Sequence, residues 1–123
     1  MKVYAGRTFI YPDGGIPHLW IVVTEPSGTP ADVAIVSVTS HRPGKDATVR
    51  LGPGDHPFIH KPSVVFFPDT RVMPVQAIVS EVQNAQASFH DDCSEDLLER
   101  VRHGLLASPA TPRRMKEYVR DRI

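Results

Sequence analysis

His18-Leu-Trp-Ile-Val-Val-Thr24, Glu25-Pro-Ser-Gly-Thr-Pro30 and Asp32-Val-Ala-Ile-Val-Ser-Val-Thr-Ser40 decide the fold. The first and last of these segments are rich in β-branched residues, and prolines and a glycine punctuate the segment between them. That pattern predicts two buried strands joined by a tight turn. Upstream, residues 2–10 form a candidate first strand, and Tyr11-Pro-Asp-Gly-Gly15 reads as a turn. Downstream, Thr48-Val-Arg-Leu51 alternates like a half-buried strand. Ser63-Val-Val-Phe-Phe67 reads as a third core strand stopped by Pro68-Asp69, and Arg71–Met73 and Val75–Val79 read as short strands.

The period changes after residue 90. Asp92 and Glu95 have the spacing of a capping box, and Leu97, Leu98, Val101 and Leu105 make an apolar helical stripe. Thr111-Pro112 is a second helix start, and Met115, Val119 and Ile123 give that helix an apolar face. Roughly five to seven short strands followed by one or two helices predict a mainly β (β+α) fold, a small SH3-like β-barrel with a helical C-terminus. The strands lie too close together for crossover helices, which argues against a parallel βαβ sheet. A length of 123 residues suits one domain, with a barrel over 1–80 and a helical extension over 92–123.

Composition narrows the classes. Net charge is zero, so a nucleic-acid ligand would need positive charge gathered on one face. An acidic cluster (Asp91, Asp92, Glu95, Asp96) precedes a basic tail from Arg113 to Arg122, and both read as solvated faces. Cys93 is the only cysteine, which excludes an internal disulfide. The surrounding carboxylates disfavour its thiolate, so it reads as structural. No signal-peptide pattern or membrane-length apolar run is present, and a cytoplasmic protein without membrane association is expected.

Gly52-Pro-Gly-Asp-His-Pro-Phe-Ile-His-Lys-Pro-Ser63 packs Asp55, His56, His60, Lys61 and Ser63 into one turn-rich loop. Its prolines and glycines make it a shaped loop, the setting where binding groups concentrate. It does not look like a metal site. His56 and His60 are four residues apart, and Pro57 excludes the helix that would put them on one face. In extended chain they stand ~13 Å apart. The loop also lacks the lysine spacing of a P-loop and opens no helix. No metal or other cofactor is therefore expected.

Proton transfer is the remaining chemistry. His18 begins one core strand, and Thr39 and Ser40 end the next. In an antiparallel pair, the start of one strand lies beside the end of the other. His18 would then act as acid or base, with Thr39 and Ser40 as phosphate-positioning hydroxyls. Arg42 and Lys61 would hold negative charge, and Asp55 and His56 would shape the site. This is the outline of a metal-independent ribonuclease. The structural alternative stands beside it: His18 satisfying backbone at a strand end, and Thr39-Ser40 ending a strand. Trp20 reads as core and Phe58 as a loop anchor.

The order Asp13-Gly-Gly, then His18–Thr24, then Val33–Ser40 resembles the core of the PemK/MazF toxins over roughly residues 10–80. The resemblance implies an SH3-like barrel that is usually dimeric. It also implies a sequence-selective endoribonuclease acting on RNA and inhibited by an antitoxin protein. Thr39-Ser40 match the family's hydroxyl position. The family's arginine falls near residues 17–18, where this chain has Pro17-His18, so either His18 takes over its role or this is a divergent member with altered or absent nuclease activity. The 54–59 loop lies outside the family pattern. The alternatives are a non-enzymatic SH3-like module presenting the 52–63 loop to a protein, and a small-molecule barrel with an apolar cavity.

Overall fold

A computed structural model describes residues 1–123, with every side chain except that of Asp13. The strands are β1 (Thr8–Asp13), β2 (Ile16–Val22), β3 (Asp32–Ser40), β4 (Arg50–Leu51), β5 (Ser63–Pro74) and β6 (Ser88–His90). The helices are α1 (Val75–Gln83), α2 (Glu95–Ala107) and α3 (Arg113–Arg120). The strands form one antiparallel sheet in the order β4-β5-β3-β2-β1-β6, curled into a half-barrel. The fold is mainly β with two C-terminal helices, as the sequence pattern predicts.

The near-continuous apolar character of β2 and β3 has a simple cause, which is burial on both faces. On one face Leu19, Ile21, Val36, Val38, Val65 and Phe67 pack under Leu97, Val101 and Leu105 of α2 and Met115 and Val119 of α3. On the other face Phe9, Trp20, Val22, Val33 and Ile35 pack against Ile78 of α1, Val3 and Ala87. Trp20 is therefore core, with the Arg71 guanidinium stacked 4.8 Å from its ring centroid.

Several local expectations change. Val75–Val79 opens a helix, not a strand. Val75, Ile78, Val79 and Val82 recur at i, i+3, i+4 and i+7, a helical period that a five-residue window is too short to reveal. Arg71–Met73 is no separate strand, because β5 runs through Pro68-Asp69. It does so at a bulge: Ser37 pairs with Phe66 and Ile35 with Arg71, so five steps on β5 oppose two on β3. The bulge spares Pro68 the ladder bond it cannot donate, and Thr70 Oγ1 closes the excursion by donating to the Phe67 carbonyl at 2.7 Å. β1 extends through Tyr11 to Asp13, leaving Gly14-Gly15 as the whole turn. Both glycines have positive φ, +58° and +83°, as a two-residue hairpin turn requires. Helix α2 is capped by Ser94, not Asp92; its hydroxyl accepts from the Leu97 N–H at 3.0 Å. Among the described residues, no helix is long and apolar enough to cross a membrane.

Gly104 lets α2 approach the sheet. A Cβ there would collide with Val49 Cγ2 and come within 3.2 Å of the Phe67 ring. Gly104→Ala should therefore destabilise the fold by about 1–3 kcal/mol through overpacking, offset in part by about 1 kcal/mol of helix propensity. Chemical denaturation tests this, and equal or greater stability of the variant would contradict the close approach.

Candidate functional site

The sheet brings the start of β2 beside the end of β3. Trp20 pairs with Ser37, so continuing that register by two residues sets His18 opposite Thr39. The β4–β5 connection folds over this strand end. Together they enclose a pocket of 670 Å³ lined by Ile16, Pro17 and His18 of β2 and by Val38, Thr39 and Ser40 of β3. Arg42 and Lys45 from the β3–β4 loop complete it, with Phe58, Ile59, His60, Lys61 and Ser63 from the other side. The resulting charge pattern is one-sided. Three cationic side chains and two imidazoles face the space, and among the described side chains no carboxylate lines it. A second concavity of 560 Å³ lies between α2 and residues 47–50, but its Arg100 is already paired with Asp55 at 2.8 Å.

The pocket's polar atoms are held by backbone. His18 Nδ1 lies 3.3 Å from the Val38 carbonyl. A carbonyl only accepts, so Nδ1 carries the proton and Nε2 is left as the acceptor. His60 repeats this arrangement, with Nδ1 3.1 Å from the Phe58 carbonyl. Lys45 Nζ donates to Thr39 Oγ1 at 3.1 Å and to the Ser40 carbonyl at 3.0 Å. Thr39 Oγ1 thus accepts, which leaves its own proton free to donate into the pocket. A turn closed by Lys45 N–H to the Arg42 carbonyl at 3.2 Å folds Lys45 back over the strand end.

Five of the residues expected from sequence, His18, Thr39, Ser40, Arg42 and Lys61, share this pocket. Asp55 and His56 do not. Asp55 braces the loop: Oδ2 accepts from Gly52 N–H at 2.7 Å and Oδ1 from Arg100 at 2.8 Å. Burial alone would raise its carboxyl, but these bonds hold it below its ordinary 3.8. His56 is 3% exposed and anchors the loop to the far side of the sheet. Its Nε2 donates to the Asp91 carbonyl at 2.6 Å, and its Nδ1 accepts from Phe58 N–H at 3.1 Å. Phe58 and Ile59 are packed against the main core, so Phe58 is an anchor as well as a pocket wall.

Lys45 and His60 are pocket residues that sequence reasoning did not assign. For Lys45 the available signal was the turn glycine Gly44, with φ +88°, just before it. For His60 it was the i−2 spacing to Phe58 that lets a ring bond its own loop. Cys93 is not a nucleophile: burial and then the Asp92 carboxylate push its thiol up to about 11. Among the described residues, no group of three or more His, Cys, Asp or Glu is placed to hold a metal ion.

Burial holds the His56 imidazole below its ordinary 6.5, against the opposing hydrogen bond to Asp91, and the neighbouring His90 adds to the lowering. The unfolded chain takes up a proton near 6.5 that the folded chain resists, so this contribution to stability is full above that value and declines as pH falls below it. His56→Ala should cost about 1–3 kcal/mol at neutral pH from unsatisfied loop and Asp91 groups. His56→Ala should also lose less stability than the parent between about pH 7 and 5, a window above the carboxylates. Denaturation midpoints at the two pH values check both outcomes. No family model, curated protein or solved structure matches this chain, so the functional reading stands on the fold and this pocket.

Proposed function

We propose that the pocket binds a phosphodiester of RNA and cleaves it without a metal, by attack of the RNA's own 2′-hydroxyl. The observation that carries this reading is a concave site with Arg42, Lys45, Lys61, His18 and His60 on its walls and no carboxylate among its described side chains. Such a site attracts an anion and places proton-exchanging groups against it. Arg42 and Lys61 hold the phosphate charge, with the Arg42 fork suited to two phosphate oxygens. Lys45 adds a third positive charge and steadies Thr39. The Thr39 hydroxyl donates to a phosphate oxygen, and Ser40 supplies a second donor at the strand end. His18 exchanges a proton through Nε2, with its ring oriented by the Val38 carbonyl. As charge builds on the non-bridging oxygens, these fixed donors stabilise it more than they stabilise the bound substrate.

The resemblance to the PemK/MazF toxins extends this reading. On that basis the chain acts in the cytoplasm as a homodimer, and an antitoxin protein blocks it. The apolar walls from Ile16, Pro17 and Phe58 give an unstacked base a surface beside the cations.

The test is cleavage of single-stranded RNA by the purified protein with a chelator present. The expected products carry a 2′,3′-cyclic phosphate and a 5′-hydroxyl. His18→Ala should lower the rate about 10²–10⁴-fold. Arg42→Ala and Lys61→Ala should each weaken binding and flatten the salt dependence by about 0.7 in log–log slope. RNA bound but left intact by the parent protein would replace this reading with that of a non-enzymatic module. No binding at all would remove both.

A further inference from the structure

We infer that His60 is the second proton-transfer residue of this pocket, working as a pair with His18; the inference rests on the ribonuclease reading above. The reaction needs two such groups. One removes the proton of the 2′-hydroxyl as its oxygen forms a bond to phosphorus. The other gives a proton to the 5′-oxygen as the bond from phosphorus to that oxygen breaks. The products are a 2′,3′-cyclic phosphate and a free 5′-hydroxyl, and the histidines end with their protonation exchanged. Water returns the proton, so no further reactant is needed.

Among the described residues, the lining contains two side chains of the type that exchanges a proton near neutral pH, His18 and His60. Arg42, Lys45 and Lys61 stand there as cations, and among the described side chains no carboxylate, tyrosine or cysteine lines the space. The two imidazoles come from different walls, His18 from the start of β2 and His60 from the loop before β5. Both are set in the same tautomer by a backbone carbonyl at Nδ1, Val38 for one and Phe58 for the other.

The loop holds His60 in place although the side chain is exposed. Ile59 beside it is 5% exposed and donates its N–H to the His56 carbonyl at 2.9 Å. His56 is itself tied to Asp91. On the other flank, His41 N–H donates to the Pro62 carbonyl at 3.0 Å, binding the loop to the end of β3. A ring whose neighbours are fixed on both sides, and whose inner nitrogen is bonded, presents its outer nitrogen in a limited arc.

The experiment compares the parent, His18→Ala, His60→Ala and His60→Gln on an RNA dinucleotide and on the same substrate with a bridging 5′-sulfur. Sulfur leaves without needing a proton, so it restores the rate only where the acid is missing. Expected results are a bell-shaped pH profile for the parent and a loss of about 10²–10⁴-fold in both His60 variants with one limb of the bell removed. Matching melting curves show that the variants fold. The sulfur substrate should rescue one of the two alanine variants and not the other. A His60→Ala enzyme as fast as the parent on RNA, or rescue of both variants or neither, overturns the pair while leaving the ribonuclease reading intact. A parent protein that does not cleave RNA overturns both.

Discussion

The antiparallel ladder between β2 and β3 is the constraint on which the rest depends. Both strands are covered on both faces, by α2 and α3 on one side and by α1 with the N-terminal segment on the other. Slipping that ladder by one residue would exchange the two faces. Leu19 and Ile21 would then turn toward α1, and Trp20 toward α2 and α3. Register is therefore strongly determined, and with it the position of His18 opposite Thr39. The pocket inherits its geometry from a hydrophobic requirement that has nothing to do with catalysis.

A second, polar constraint closes the site. The 52–63 loop has few apolar residues to bury, only Phe58 and Ile59 reaching the main core. Its remaining order comes from hydrogen bonds within the loop and to distant parts of the chain. His56 reaches the Asp91 carbonyl, and Asp55 reaches Arg100 of α2. His60 and Lys61, which project from the same loop, line the pocket. Support and pocket lining are divided between neighbouring residues, with 55 and 56 bracing the loop and 60 and 61 on the pocket wall.

Much of the fold was legible. The limits of Asp32–Ser40 are legible because turn residues flank a near-continuous apolar run. Helices α2 and α3 were found from their stripes. The failures were equally physical. A five-residue segment such as Val75–Val79 fits strand and helix alike, and the choice rests on Val82, three residues further on. Pro68 looks like a strand terminator, yet a bulge absorbs its missing donor. Asp92 and Ser94 both offer cap side chains, and the helix starts after Ser94, whose hydroxyl reaches the Leu97 N–H.

The sequence by itself determined the alternation of strand, turn and helix, the burial of Trp20 and the structural character of Cys93. Those properties follow from side chains acting on their near neighbours or on the solvent. It also placed His18 beside Thr39 and Ser40, since adjacent strands with a short connection pair antiparallel. Only the tertiary structure decided that Lys45 and His60 belong with them and that Asp55 and His56 do not. The reason is range: His56 is committed to a carbonyl 35 residues away, and Asp55 to an arginine 45 residues away. No local pattern encodes a partner that distant, so polar residues that look equivalent along one loop separate only when the chain has closed around them.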